Sequence, residues 1–431
     1  MKTRLGVLIR LFREFFLISL FVVGGGYAIL AVADQVFGRR LKWLKEGELI
    51  EKLPVFQMVP GLIAGNTAIY TGRKLAGRLG TMAALLGVAL PSFLVFLAVT
   101  MGFATLPKDN IWLEGAFLGL RSALTGIVAA TLVKSWRRTV KGIFGYVIAI
   151  TAIVLLVPAG VNPIWVIIAA MVAGIVRKTI VPDLGDLGHS GTSKFLVSSI
   201  RPNLPEAPKD PKAPTGAGDW AQWFHWLGVT LFLAISACFY LDILLAFLKF
   251  GCVAFGGGFV LVPMYVAEFT GPEAPLLQLP MEEFSNLIAL TQTTPGPVSV
   301  NAATFFGYRM GGVIGSAVAT AALLLPSYLL LPMVLSGLEK GRDNRIVTGL
   351  MNGVRPATNA LLVTALVIFS RISIYGGSGV CPLGGIGVCP LALGLALFAA
   401  ERAYRGRWPI LAVIALCALV GIAAKFIVKV Y

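Results

Sequence analysis

Two arginines, Arg121 and Arg355, sit well inside apolar stretches, at 112–133 and 346–369. That is too deep for the charged head to reach water comfortably. The carboxylate nearest in sequence to either is Glu114, near the start of the stretch that holds Arg121. A guanidinium in such a place either bonds backbone carbonyls or receives an anion, and its planar fork suits a tetrahedral oxyanion. Two Pro-Gly breaks, Pro60-Gly61 and Pro295-Gly296, interrupt other apolar stretches. A break of this kind ends one helix and starts the next, leaving unpaired N–H groups at a positive dipole end where anions bind. Beside the breaks stand neutral amides, Gln57, Asn66, Gln292 and Asn301. These either hydrogen-bond ligand oxygens without adding charge or satisfy the broken backbone itself. The runs Gly24-Gly25-Gly26 and Gly256-Gly257-Gly258 weaken a helix and admit a close backbone approach, as a break or as tight packing by small residues. The chemistry on offer is anion binding, with no covalent step.

These residues come in matched sets. The segment Gln57-Met58-Val59-Pro60-Gly61, with Asn66, Ala68, Gly72, Gly77, Gly80 and Pro91-Ser92, returns 235 residues later as Gln292-Thr293-Thr294-Pro295-Gly296, Asn301, Ala303, Gly307, Gly312, Gly315 and Pro326-Ser327. The tri-glycines recur at an offset of 232, and Gly119-Leu120-Arg121 recurs as Gly353-Val354-Arg355 at 234. Duplication on this scale in an apolar chain marks a transporter built from structural repeats.

Hydrophobic residues make up 57% of the chain and charged ones 13%, which predicts an all-α polytopic membrane protein. The net charge of +16 lies between apolar spans, so it reads as membrane topology and not as a nucleic-acid surface. Four units are expected: a first transport repeat at 1–176, a polar Pro-rich cytoplasmic linker at 177–222, a connecting transmembrane helix at 223–241 and a second repeat at 242–431. The loop 34–53 carries Arg39, Arg40, Lys42, Lys45 and Lys52, whereas its counterpart 267–284 has no Lys or Arg. The positive-inside rule therefore puts equivalent loops on opposite sides, and the repeats are inverted. The same rule favours re-entrant glycine and Pro-Gly elements, because full crossings would put the basic loop outside. Cys381 and Cys389, each followed by Pro, would pair only on an oxidising side; free thiols are the expected state.

Missing features narrow the function. The spans hold no His cluster, no carboxylate pair and no Cys or His set at metal spacing, so neither metal nor cofactor is expected. No triad or phosphate loop supports an enzyme.

The combination of Phe255-Gly256-Gly257-Gly258, Gln292-Thr293-Thr294-Pro295-Gly296-Pro297, Phe305-Phe306-Gly307-Tyr308-Arg309 and Gly353-Val354-Arg355-Pro356-Ala357 resembles the chromate ion transporter family in its long-chain, two-domain form. The likeness spans both halves, and the combination is highly specific. It implies export of chromate from the cytoplasm across the inner membrane, with sulfate as a chemical analogue, and leaves room for a homodimer. The first copy departs from the pattern at Leu62, Val23 and Ser122, which stand for Pro, Phe and Pro. The expected site gathers Gly24, Gly25, Gly26, Gln57, Pro60, Gly61, Asn66 and Arg121 with Gly256, Gly257, Gly258, Gln292, Pro295, Gly296, Asn301 and Arg355. Transport of sulfate or another anion, an anion channel, and a membrane enzyme or redox carrier are the alternatives.

Overall fold

A computed structural model describes residues 4–22, 25–103, 111–180, 240–255, 257–339, 345–375 and 410–430. Most of the expected linker and of the expected connecting helix, with Gly24, Gly256, Cys381 and Cys389, lie outside the described residues; 177–180 continue the helix Pro163–Ile180. Every long element among the described residues is a helix, and this is an all-α membrane protein. Long apolar stretches run over Ile63–Gly102, Trp112–Thr139, Val298–Leu335 and Gly349–Ser373.

The chain opens with two helical hairpins. Helix α1 (Arg4–Phe21) breaks at the glycines, and α2 (Gly25–Asp34) with its π-turn (Gln35–Arg40) runs back along it. Two contacts mark the reversal: Phe37 lies tilted against Phe15 with ring centroids 5.0 Å apart, and Arg40 pairs with Glu14. The second hairpin comprises α3 (Glu48–Glu51) and α4 (Leu53–Met58), the Pro60-Gly61 tip, and the first part of α5 (Ile63–Phe103). Its arms are joined by Phe56 against Tyr70 (5.5 Å) and by Lys74 Nζ donating to Glu48 Oε1 at 2.5 Å.

Helix α5 is not one straight rod. Ala76 and Gly77 leave helical geometry, with Gly77 at φ 62°, ψ −145°, and the chain turns back on itself. A side chain at Gly72 would fall 2.2 Å from the Gly80 carbonyl oxygen, so only glycine allows the two arms to meet there. This corner explains a stretch about twice the roughly 20 residues that a span needs. It falls among Arg73, Lys74 and Arg78, a basic cluster of the kind that the positive-inside rule puts on the cytoplasmic side.

After α6 (Ile111–Thr139), α7 (Gly142–Leu156) and α8 (Pro163–Ile180), the plan returns. Helix α9 (240–253) reverses at the second glycine run into a 3-10 turn (Gly258–Leu261) and α10 (Val262–Phe269). Phe250 meets Tyr265 at 4.9 Å and Lys249 pairs with Glu268 across that hairpin. Helix α11 (Met281–Thr293) reverses at Pro295-Gly296 into α12 (Val298–Glu339), with Arg309 bound to Glu283 at 3.0 Å. That ion pair is the image, 235 residues on, of Lys74 with Glu48. Helix α12 turns a corner at Gly311 and at Gly312 (φ 61°, ψ −150°), with nearly the dihedrals of Ala76 and Gly77. Helices α13 (Arg345–Tyr375) and α14 (Ile410–Val430) complete the described chain.

The halves exchange contacts reciprocally. Helix α6 packs on α14, and α13 packs on α8. A side chain at Gly119 would lie 1.8 Å from the Cys417 carbonyl oxygen, and one at Gly353 would lie 1.8 Å from that of Ala170. Small residues four apart, Gly115 with Gly119 and Gly349 with Gly353, let the backbones approach this closely. At the tips, the Gly61 N–H donates to the Ala254 carbonyl at 2.8 Å and the Gly296 N–H to the Val22 carbonyl at 3.3 Å. In each case i meets j and the mate of j meets the mate of i.

Candidate functional site

Hairpin arms that stop partway through the protein leave helix ends inside it. Four helices begin around one cavity of about 250 Å³: α2 at Gly25-Gly26-Tyr27, α5 at Leu62-Ile63, the 3-10 turn into α10 at Gly257-Gly258-Phe259-Val260, and α12 at Pro297-Val298-Ser299. Helix starts carry N–H groups without intrahelical partners and the positive ends of the dipoles. The starts touch in pairs. A side chain at Gly26 would lie 3.0 Å from Ile63 Cβ, and one at Gly258 would lie 2.9 Å from Ser299 Oγ. The third glycine of each run thus permits the approach.

Two helices complete the wall. Helix α6 contributes Thr131, Lys134, Ser135, Arg138 and Thr139; α13 contributes Met351, Val354, Arg355, Thr358 and Leu362. Each set follows the three- and four-residue spacing of one helical face. Among the described residues the lining contains three cations and no carboxylate. No ion pair or hydrogen bond engages the guanidinium of Arg355 among the described residues, nor does any carboxylate pair with Lys134 or Arg138. Lys134 and Arg138 are exposed at the end of α6, whereas Arg355 is half-buried. Two further donors face no protein acceptor: Gln292 Nε2 and Ser299 Oγ, on residues 9% and 1% exposed. This lining can hold an anion by charge and by hydrogen bonding together.

Of the residues expected from the sequence, Gly25, Gly26, Gln57, Gly257, Gly258, Gln292 and Arg355 line this cavity. Others lie elsewhere. Arg121, expected without an acidic partner beyond Glu114, donates from Nη2 to Glu282 Oε1 and from Nε to Asn286 Oδ1, both at 2.6 Å. Asn66 Nδ2 donates to the carbonyls of Phe56 (2.8 Å) and Val59 (3.3 Å), holding the first tip closed. Asn301 Nδ2 does the same at the second, to Thr294 Oγ1 at 2.8 Å and the Thr291 carbonyl at 3.3 Å. These amides stabilise the broken backbone, the alternative already open for them. Pro60-Gly61 and Pro295-Gly296 pack against the opposite half, under Ser327 and Ser92. The helix starts that follow the breaks, not the breaks themselves, reach the cavity. Lys134, Arg138, Tyr27 and Ser299 are site residues that the sequence reading passed over. Basic residues near the end of an apolar span, Lys134 and Arg138 count in the sequence as part of the topological charge, though Thr131 and Ser135 on the same helical face are a legible sign.

Fold and cavity together define a helical membrane protein with a cationic pocket built at helix starts. The profile of the family described as "Chromate transporter" matches residues 9–175 and 241–422, and the chain belongs to that family. It is 26% identical over 365 residues to an uncharacterised transporter of Methanocaldococcus jannaschii, covering 84% of each chain. It is 25% identical over 352 residues to a probable chromate transport protein of Synechococcus elongatus, covering 82% of each. With a chromate transport protein of Pseudomonas aeruginosa it shares 24% identity over 399 residues, 93% of this chain and 87% of that one. No solved structure matches the fold.

Proposed function

We infer that the chain is a secondary transporter that carries chromate out of the cytoplasm through the cavity between two inverted repeats. The observation that carries this reading is the meeting of four helix starts, drawn from both halves, with Arg355 at a cavity whose described lining has no carboxylate. A tetrahedral dianion there is neutralised by the guanidinium and helix dipoles and coordinated by free N–H groups. The volume accommodates such an anion together with part of its hydration shell. Inversion is supported by the reciprocal tip contacts and by the opposite charge of equivalent loops. The name of the Pseudomonas aeruginosa relative supports the substrate.

Sidedness follows from charge. Lys134 and Arg138 stand at the mouth, at the end of α6, a position that the positive-inside rule assigns to the cytoplasm of the cell membrane. The cavity is then open inward, ready to load. Arg121 of the first repeat, paired with Glu282 of the second, lies towards the other side, as a closed outer gate. The glycine breaks are the hinges on which the repeats rock between inward- and outward-open forms. Uptake of labelled chromate into everted vesicles tests the reading. Expected is saturable uptake dependent on the protein and inhibited by sulfate; vesicles with the protein that accumulate no more chromate than control vesicles would overturn it.

A further inference from the structure

The cavity is lined by both repeats, yet they do not offer the same groups. Gln57 and Gln292 are repeat mates, as are Tyr27 and Phe259, Ala64 and Ser299, and Arg121 and Arg355. In the first repeat Gln57 Nε2 donates to the Tyr27 hydroxyl oxygen at 2.7 Å. In the second, Phe259 stands where the tyrosine would be and has no oxygen to accept, so Gln292 Nε2 is left buried and without a protein partner. Ser299 Oγ is likewise buried and unpartnered, and its mate Ala64 has no hydroxyl. Arg355 lines the cavity, while Arg121 is occupied by Glu282 and Asn286. In each of these three pairs the free donor belongs to the second repeat and the engaged or missing one to the first.

Leaving buried donors unpaired is costly, and they are expected to have partners. We propose that the side chains that grip the oxyanion all come from the second repeat, namely Gln292 Nε2, Ser299 Oγ and the Arg355 guanidinium, while the side chains of the first repeat form the opposing wall. Gln57 then acts at one remove, as a positioning residue. By donating to the Tyr27 oxygen it fixes the tyrosine ring in that wall. Gly258 belongs to the grip, because a side chain there would sit 2.9 Å from Ser299 Oγ and displace the hydroxyl. The inference rests on the cavity being the anion site.

The test pairs repeat mates. Equilibrium binding of labelled chromate to purified protein is measured beside the KM for uptake into everted vesicles. Gln292→Ala and Ser299→Ala are each expected to weaken chromate binding and raise KM by roughly tenfold or more, as loss of a hydrogen bond to an ion does. Gln57→Ala is expected to shift both by at most about a third as much. Phe259→Tyr removes nothing from the cavity but supplies the acceptor that Gln292 lacks, and it is expected to weaken binding in the same direction. Equal effects of Gln57→Ala and Gln292→Ala, or unchanged binding in Phe259→Tyr, would overturn the one-sided grip. Wild-type protein that binds chromate without transporting it would sink the transport reading and leave the grip standing.

Discussion

Gly61 gives its backbone N–H to the Ala254 carbonyl at 2.8 Å, so the Pro-Gly tip of the first repeat is bound to the glycine break of the second. Gly61 has φ +114°, and a side chain on it would lie 1.6 Å from Ser327 Oγ. Gly296, its mate, has φ +96° and would meet Ser92 Oγ at 1.7 Å. Gly61→Ala and Gly296→Ala combine a strained backbone with a steric clash and are each expected to cost about 1–3 kcal/mol. Thermal unfolding in detergent should show the loss, and both variants should fall together because both tips join the halves. A normal melting temperature for either would mean that the tip contact contributes little.

Glu48 gives the fold a pH dependence. It lies in the basic loop, outside the long apolar spans. Burial opposes its ionisation, but hydrogen bonds from Lys74, the Tyr70 hydroxyl and the Lys45 N–H outweigh burial and hold the carboxyl below its ordinary value of 4.5. A carboxyl depressed in the folded state stabilises fully above its unfolded value, and that stabilisation is lost as pH falls through the folded value. The melting temperature is therefore expected to drop on acidification below the ordinary glutamate range. Glu48→Gln should flatten that dependence while costing about 1–3 kcal/mol at neutral pH through the unpaired Lys74.

Lys134 and Arg138, exposed cations in the cavity lining, are expected to draw anions in before they are bound. Replacing both with Gln is expected to lower kcat/KM for chromate by roughly tenfold at low ionic strength. Added salt of an inert anion should shrink the difference between variant and wild type, because exposed charges are screened. A deficit that persists at high salt would place the two side chains in direct contact with the substrate.

Much of the fold was legible because a repeated sequence must make repeated structure. The offset of 235 that joins Gly77 to Gly312 made the two positions equivalent, and both turn corners, while the basic loop between the first two hairpins favoured reversal at the glycines. The site was less legible, because repeat mates need not share surroundings. Arg121 looked equivalent to Arg355, yet the groups that engage it stand more than 150 residues away along the chain. No local pattern announces such a contact. Asn66 and Asn301 sit where an amide could meet a ligand, but carbonyls and, for Asn301, the Thr294 hydroxyl at the broken tips claim those donors first. Tyr27 and Phe259 directly follow the glycine runs, and their difference by one hydroxyl is plain in the sequence. Its consequence appears only once each faces its glutamine.

The central claim is that the anion binds where the helix starts meet Arg355. It is tested most directly by equilibrium binding of labelled chromate to purified Arg355→Ala and Arg121→Ala beside wild type. Saturable binding is expected in wild type and in Arg121→Ala, with a loss of roughly tenfold or more in affinity for Arg355→Ala, as when an ion loses its charged partner. Undiminished binding in Arg355→Ala, or a greater loss in Arg121→Ala from a weakening of the site itself, would contradict it.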